Sequence, residues 1–149
     1  MFLLYKYSID KYNKTKRIVI ASLIIAYICF FVYPTTVVRP EVNSFNDLFS
    51  LIAYISFKAD NPVNCFPSCH CLLSFIMIYA LYKENNINKY LRITLIILFF
   101  MIIASTLLVK QHVIADVIGA FIISIFTAFI FPKLKELIFI SPPKSRTCI

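Results

Sequence analysis

One glycine, Gly119, no tryptophan and seven acidic residues are all that 149 residues contain of those types. So little glycine, with Asp and Asn sparse inside the apolar runs, leaves few turn residues for a β-barrel. The runs also do not alternate as barrel strands must. Fifteen basic residues against seven acids give a net charge of +8. The positives fall in short segments between apolar runs, with no basic patch on a folded soluble face, so no nucleic-acid partner is expected. The five cysteines make no disulfide framework. Cys29 lies in an apolar run, Cys148 is one residue from the end outside any prenylation pattern, and Cys65, Cys69 and Cys71 are too close together to staple a fold. Those three cysteines with His70 suggest a metal site. Structural zinc, however, draws short paired spacings from two places, and only one exists here. A haem attachment would need a different gap before the histidine. No metal and no cofactor is expected.

What the chain has in abundance is apolar length. Hydrophobic residues make up 60% of it and mean hydropathy is +0.83. Both values point to an all-α, polytopic membrane helical bundle in one domain over residues 1–149. About four spans are expected: Ile18–Tyr33 ended by Pro34, Ser68–Tyr82, Leu91–Val109 and Val113–Phe131. The first follows a basic flank with no small-residue cleavage site before Pro34, and reads as a retained span rather than a leader. A short interfacial helix is expected from Leu48, after a capping-box pattern at Ser44 to Asp47 and before the breaker run Ala59 to Pro62.

Charge then orients the spans. The N-terminal flank carries Lys6, Lys11, Lys14, Lys16 and Arg17, and the Lys83–Arg92 loop and the C-terminal tail are basic as well. The 35–67 connection has only Arg39 and Lys58, balanced by acids. With the basic segments inside, both termini are cytoplasmic. Arg39, His70 and His112 then share the non-cytoplasmic face of a multi-pass protein of the cell membrane.

The chain has two histidines, and this topology brings them together. His112 and Asp116 are four apart, the spacing of neighbours on a helix face. Asp116 is the one acid inside a long apolar run, and such a charge is costly unless paired. A carboxylate accepting from Nδ1–H leaves Nε2 unprotonated, which prepares a nucleophile or base. The plainer reading is a helix contact that satisfies only itself. Pro67-Ser68-Cys69-His70 opens a helix, whose N-terminal amides and dipole suit an anion. His70 in that first turn is placed to protonate a leaving oxygen, although Pro-Ser alone is ordinary capping. Arg39 offers a planar fork suited to phosphate.

These residues together resemble the type 2 phosphatidic acid phosphatase and haloperoxidase superfamily. Its three motifs are Lys-x6-Arg-Pro, Pro-Ser-Gly-His and Ser-Arg-x5-His-x3-Asp. Arg39-Pro40 matches the end of the first motif. Pro67-Ser68-Cys69-His70 matches the second except at Cys69. Ser105, His112 and Asp116 match the third, with Gly119 following. The motif-bearing core is about 34–131. The resemblance implies that His112 attacks phosphorus to form a phosphohistidine, Asp116 orients it, and His70 protonates the leaving group without a metal. Arg39, Ser68 and Cys69 would hold phosphate oxygens, with Ser105 in support. Two family cations are missing: Val32 stands for the Lys and Thr106 for the Arg. Lys110 is a candidate to supply one of them. Thr at that place resembles the branch of the inositol phosphorylceramide synthases. A lipid-phosphate phosphatase is the expected function. A headgroup phosphotransferase, or a non-catalytic membrane protein of the same fold, is the alternative. The expected partners are a lipid phosphate substrate and membrane lipids. Four spans are fewer than many relatives have, so the chain either forms a homo-oligomer or has an incomplete lipid-facing shell.

Overall fold

A computed structural model describes residues 1–38, 48–59 and 63–138, with side chains to residue 130. Among the described residues six helices follow in order: α1 (Phe2–Tyr7), α2 (Ile9–Val32), α3 (Leu48–Ala59), α4 (Cys69–Tyr82), α5 (Lys89–Leu108) and α6 (Ile114–Ile138). There is no strand among the described residues beyond an isolated antiparallel bridge between Thr36 and Val63. The architecture is the all-α bundle expected from composition.

The first span differs from expectation at its start. Ser8 caps α2, its hydroxyl accepting from Lys11 N at 3.4 Å, and Asp10 sits in the first turn. The basic run is therefore helical, because lysine is a good helix former and an N-cap precedes it. α3 begins at Leu48 as expected; its capping pattern at 44–47 and its breaker run at 60–62 lie outside the described residues, as do Arg39 and the tail from 139.

α4 is the centre of the bundle and packs on α2, α5 and α6. Its Cys71, Leu72 and Ile76 are buried with Ile18 and Ala26 of α2, Ile103 of α5 and Ala120 of α6. Between α2 and α6 the Ser22 and Thr127 hydroxyls lie 2.7 Å apart, so that one donates to the other, and the remaining proton has a carbonyl of its own helix within 2.8 Å, Ile18 O for Ser22 or Ile123 O for Thr127. The polar atoms inside this apolar core are thus paired, as a membrane interior requires. α5 is an outer helix: Ile103 and Thr106 are its buried residues, while Ile97, Phe100 and Met101 are exposed. Apolar side chains on the outside of an apolar helix suit lipid rather than water.

Of the four expected spans, α2 and α5 are long and apolar enough to cross a membrane. α4 has 14 residues, about 21 Å of helix against about 30 Å of hydrocarbon. The described apolar part of α6, Ile114–Ile130, also falls short of the length that α2 and α5 reach.

The bundle end with the α4–α5 loop is pinned by a buried acid. Glu84 is fully buried, and its Oε1 lies 3.2 Å from Lys11 Nζ and accepts from Asn86 N at 2.9 Å. Lys11 Nζ also donates to Lys83 O, and Arg92 Nη1 donates to Glu84 O. Glu84 Oε2 is buried without a partner. Carboxylates are costly to bury and depend on such partners. Lys11→Met keeps the stem and removes the charge, and should destabilise the fold by on the order of 2 kcal/mol, since Lys11 is partly exposed. Adding Glu84→Gln should recover part of that loss. Thermal unfolding of the purified variants in detergent measures both.

Candidate active site

Two helix starts meet at the opposite end of the bundle. α4 starts at Cys69 because Ser68 caps it, Oγ accepting from Cys71 N at 3.4 Å. Cys69 is helical with no positive φ, so the place that is glycine in the resembling motif takes a side chain here without backbone strain. α6 starts at Ile114, and Asp116 lies in its first turn. Asp116 Oδ2 accepts from Val113 N at 3.1 Å, half of a capping box in which the third helical residue reaches back to the cap. Ser68 N donates to Asp116 O at 3.3 Å and ties the two starts together.

His112 stands just before α6, not on it. Its place is set from the other side, by the end of α5. There Lys110 N donates to Leu107 O and Gln111 N to Thr106 O, each at 3.0 Å, with Lys110 at φ 56°. This is a Schellman termination with lysine at the left-handed position where glycine is usual. His112 N donates to Thr106 O as well, at 3.2 Å. The imidazole Nδ1 lies 3.2 Å from Asp116 Oδ2, and both side chains are buried. One carboxylate oxygen therefore caps α6 and orients the ring.

The His70 ring is exposed in the first turn of α4, with its centroid 6.1 Å from that of His112. Both histidines line a cavity of about 240 Å³ with Tyr27, Phe30, Asn64, Cys65 and Cys69. A larger cavity of about 530 Å³ lies on the Asp116 side, walled by Tyr33, Thr35–Val38, Phe66, Val113 and Ala115. The smaller one holds both imidazoles. Among the described residues no lysine or arginine lines either cavity, and no group of three His, Cys, Asp or Glu is arranged to hold a metal ion.

A family model described as the PAP2 superfamily matches residues 39–138. The chain belongs to the PAP2 superfamily. Membership supports a phosphatase-type activity on phosphoric esters. No curated protein and no solved structure matches the chain.

In this PAP2 chain the structure brings His112, Asp116, His70, Ser68 and Cys69 into one cluster. Ser68 does so as a fully buried cap. Ser105 and Lys110 are not brought in. Ser105 is exposed and its hydroxyl donates to Ile102 O at 2.8 Å, while Lys110 is exposed and lines neither cavity. Arg39 lies outside the described residues. Thr106 is buried, its Oγ1 donating to Ile103 O and lying 3.5 Å from Cys71 Sγ. Tyr27 and Phe30, edge to face at 5.8 Å, were not legible as cavity residues, because their spacing on α2 also fits plain core or lipid contact.

The one glycine sits where the Phe66 ring meets α6. A Cβ on Gly119 would overlap Phe66 Cε2 and Cζ. The Phe66 amide is itself held by Thr35 Oγ1 at 2.8 Å, and Cys65 N donates to Thr35 O. Gly119→Ala gains about 1 kcal/mol of helix propensity but displaces a ring two residues before Ser68. We expect little change in melting temperature and a clear fall in phosphoric-ester turnover, read by thermal unfolding beside activity. Lys110→Gly should instead stabilise the fold by about 1 kcal/mol, by relieving a left-handed lysine. The same unfolding assay checks it.

Proposed function

We propose that the chain is an integral membrane lipid-phosphate phosphatase working through a histidine nucleophile. The observation that supports this most is the His112–Asp116 pair, bonded through Nδ1, with His70 across a shared cavity. A carboxylate on Nδ1–H stabilises the charge that develops on the ring and keeps Nε2 as a lone-pair donor. Nε2 of His112 attacks phosphorus, and the ester P–O bond breaks. His70 gives its proton to the departing oxygen. Water, deprotonated by His70, then attacks the phosphohistidine, and the P–N bond breaks to release phosphate and restore His112. The start of α4 at Cys69, which the buried Ser68 holds in place as its cap, and Arg39 would hold the phosphoryl oxygens, with the helix dipole in support.

The fold is read as seated with this end at the non-cytoplasmic face and the Lys11–Glu84 end at the cytoplasmic face, both termini inside. The basic residues at that second end support this orientation.

Purified protein should release phosphate from phosphatidate without added divalent metal. His112→Ala should lower kcat by about 10³-fold or more. His70→Ala should lower it by about 10²–10⁴-fold on an alkyl ester, and much less on an aryl ester whose leaving group needs no proton. Full activity in His112→Ala would sink the mechanism.

One observation favours a second reading. A doubly charged phosphate monoester is best met by several cations, yet no lysine or arginine lines the cavities among the described residues. A headgroup phosphotransferase, resembling the inositol phosphorylceramide synthases, would meet a singly charged diester. Headgroup transfer to an added alcohol, exceeding hydrolysis, would select it.

A further inference from the structure

α3 turns an apolar row outward. The residues Leu48, Phe49, Leu51, Ile52 and Ile55 are exposed, whereas Ser50, Ala53 and Phe57 on the other side are half-buried, and half-buried Ser56 lies at the edge of the row, next to Phe49 and Ile52 on the helix surface. At the far end of α3, Lys58 Nζ lies 5.6 Å from the centroid of the Tyr54 ring. An apolar row outside, closed by an aromatic and a lysine, is the pattern of a helix seated in the headgroup layer of a bilayer.

This helix is joined to the catalytic turn. Gln111 Nε2 donates to Ser56 Oγ at 3.1 Å. Gln111 is the residue before His112, and the two share one anchor: both backbone amides donate to Thr106 O, at 3.0 and 3.2 Å. A side chain on the His112 turn thus holds a lipid-facing helix, although the two elements are 55 residues apart in the chain.

We propose that Gln111 is a positioning residue for lipid substrate. Through Ser56 it fixes α3 beside the His112 turn, and α3, seated in the bilayer surface, holds the lipid ester at the depth of His112. The proposal rests on the reading of His112 as nucleophile. It makes the Gln111–Ser56 bond a determinant of lipid over soluble substrate, and not part of the chemistry. Gln111 touches no reacting atom. Its loss therefore acts on capture of a bilayer-borne substrate and spares an ester that arrives through water.

The test uses the full chain in nanodiscs, with phosphatidate as the lipid ester and p-nitrophenyl phosphate as the soluble one. Gln111→Ala and Ser56→Ala should each raise KM for phosphatidate about tenfold, with kcat within about twofold and the soluble ester unchanged. The double variant should be no worse than either single one, because the two share one bond. Ser56→Thr, which keeps the hydroxyl, should restore the parent KM. Equal losses on both esters, additive single variants, or unchanged KM would each overturn the proposal. Amide hydrogen exchange over residues 48–59 gives a readout that needs no turnover: Gln111→Ala should speed it, and unchanged exchange would overturn the link. If the parent protein turns over neither ester, the phosphatase reading fails, and the exchange result still decides whether Gln111 fixes α3.

Discussion

The carboxylate of Asp116 is the junction on which this end of the molecule depends. One oxygen accepts from Val113 N and from the His112 ring, while the backbone carbonyl of the same residue accepts from Ser68 N. A charge this deep in an apolar protein survives only with partners. The same bonds that satisfy it start α6, orient an imidazole and join α6 to the start of α4. Stability and chemistry share the same atoms here.

The two ends of the bundle solve one problem in different ways. At each, an acid is buried near apolar helices. Glu84 leans on Lys11, which keeps contact with solvent, and leaves one oxygen without a partner. Asp116 has a histidine and a backbone amide instead. The first arrangement fastens α2 to the α4–α5 loop. The second leaves a ring nitrogen free of the carboxylate, and so has chemical potential that the first lacks. Between them the core is apolar apart from hydroxyl contacts such as Ser22 to Thr127, and α4 passes through its middle.

The helices α4 and α5 were legible within about two residues, α4 from Ser68 in front of an apolar run and α5 from its apolar run alone, whose start at Lys89 is set by an Asn88 cap that the sequence reading did not use. α1 and the first turns of α2 were not. Lysines beside a membrane span read equally well as a flank or as helix; here the Ser8 cap starts the helix, and the contact from Lys11 to Glu84 across the fold ties it down. The His–Asp pair was legible from spacing, but for a different local reason than its geometry. His112 is in the turn before α6, and the pair closes because Asp116 reaches back as a helix cap. Ser105 and Lys110 matched or neighboured a motif by position. A motif gives a position along the chain and not a direction, and both side chains are exposed and line neither cavity.

The place where a family arginine is expected is closed by packing. Thr106 is buried, and its hydroxyl lies against the thiol of Cys71, a residue with no exposed surface. Its carbonyl meanwhile carries the amides of both Gln111 and His112. Reintroducing a guanidinium there would not decorate a surface. It would push a long charged side chain into the seam between α4 and α5, beside the bonds that hold the His112 turn. An arginine at position 106 therefore needs a smaller residue at position 71 at the same time. Either change made alone leaves the seam overfilled or underfilled, so packing couples the two positions whatever the substrate.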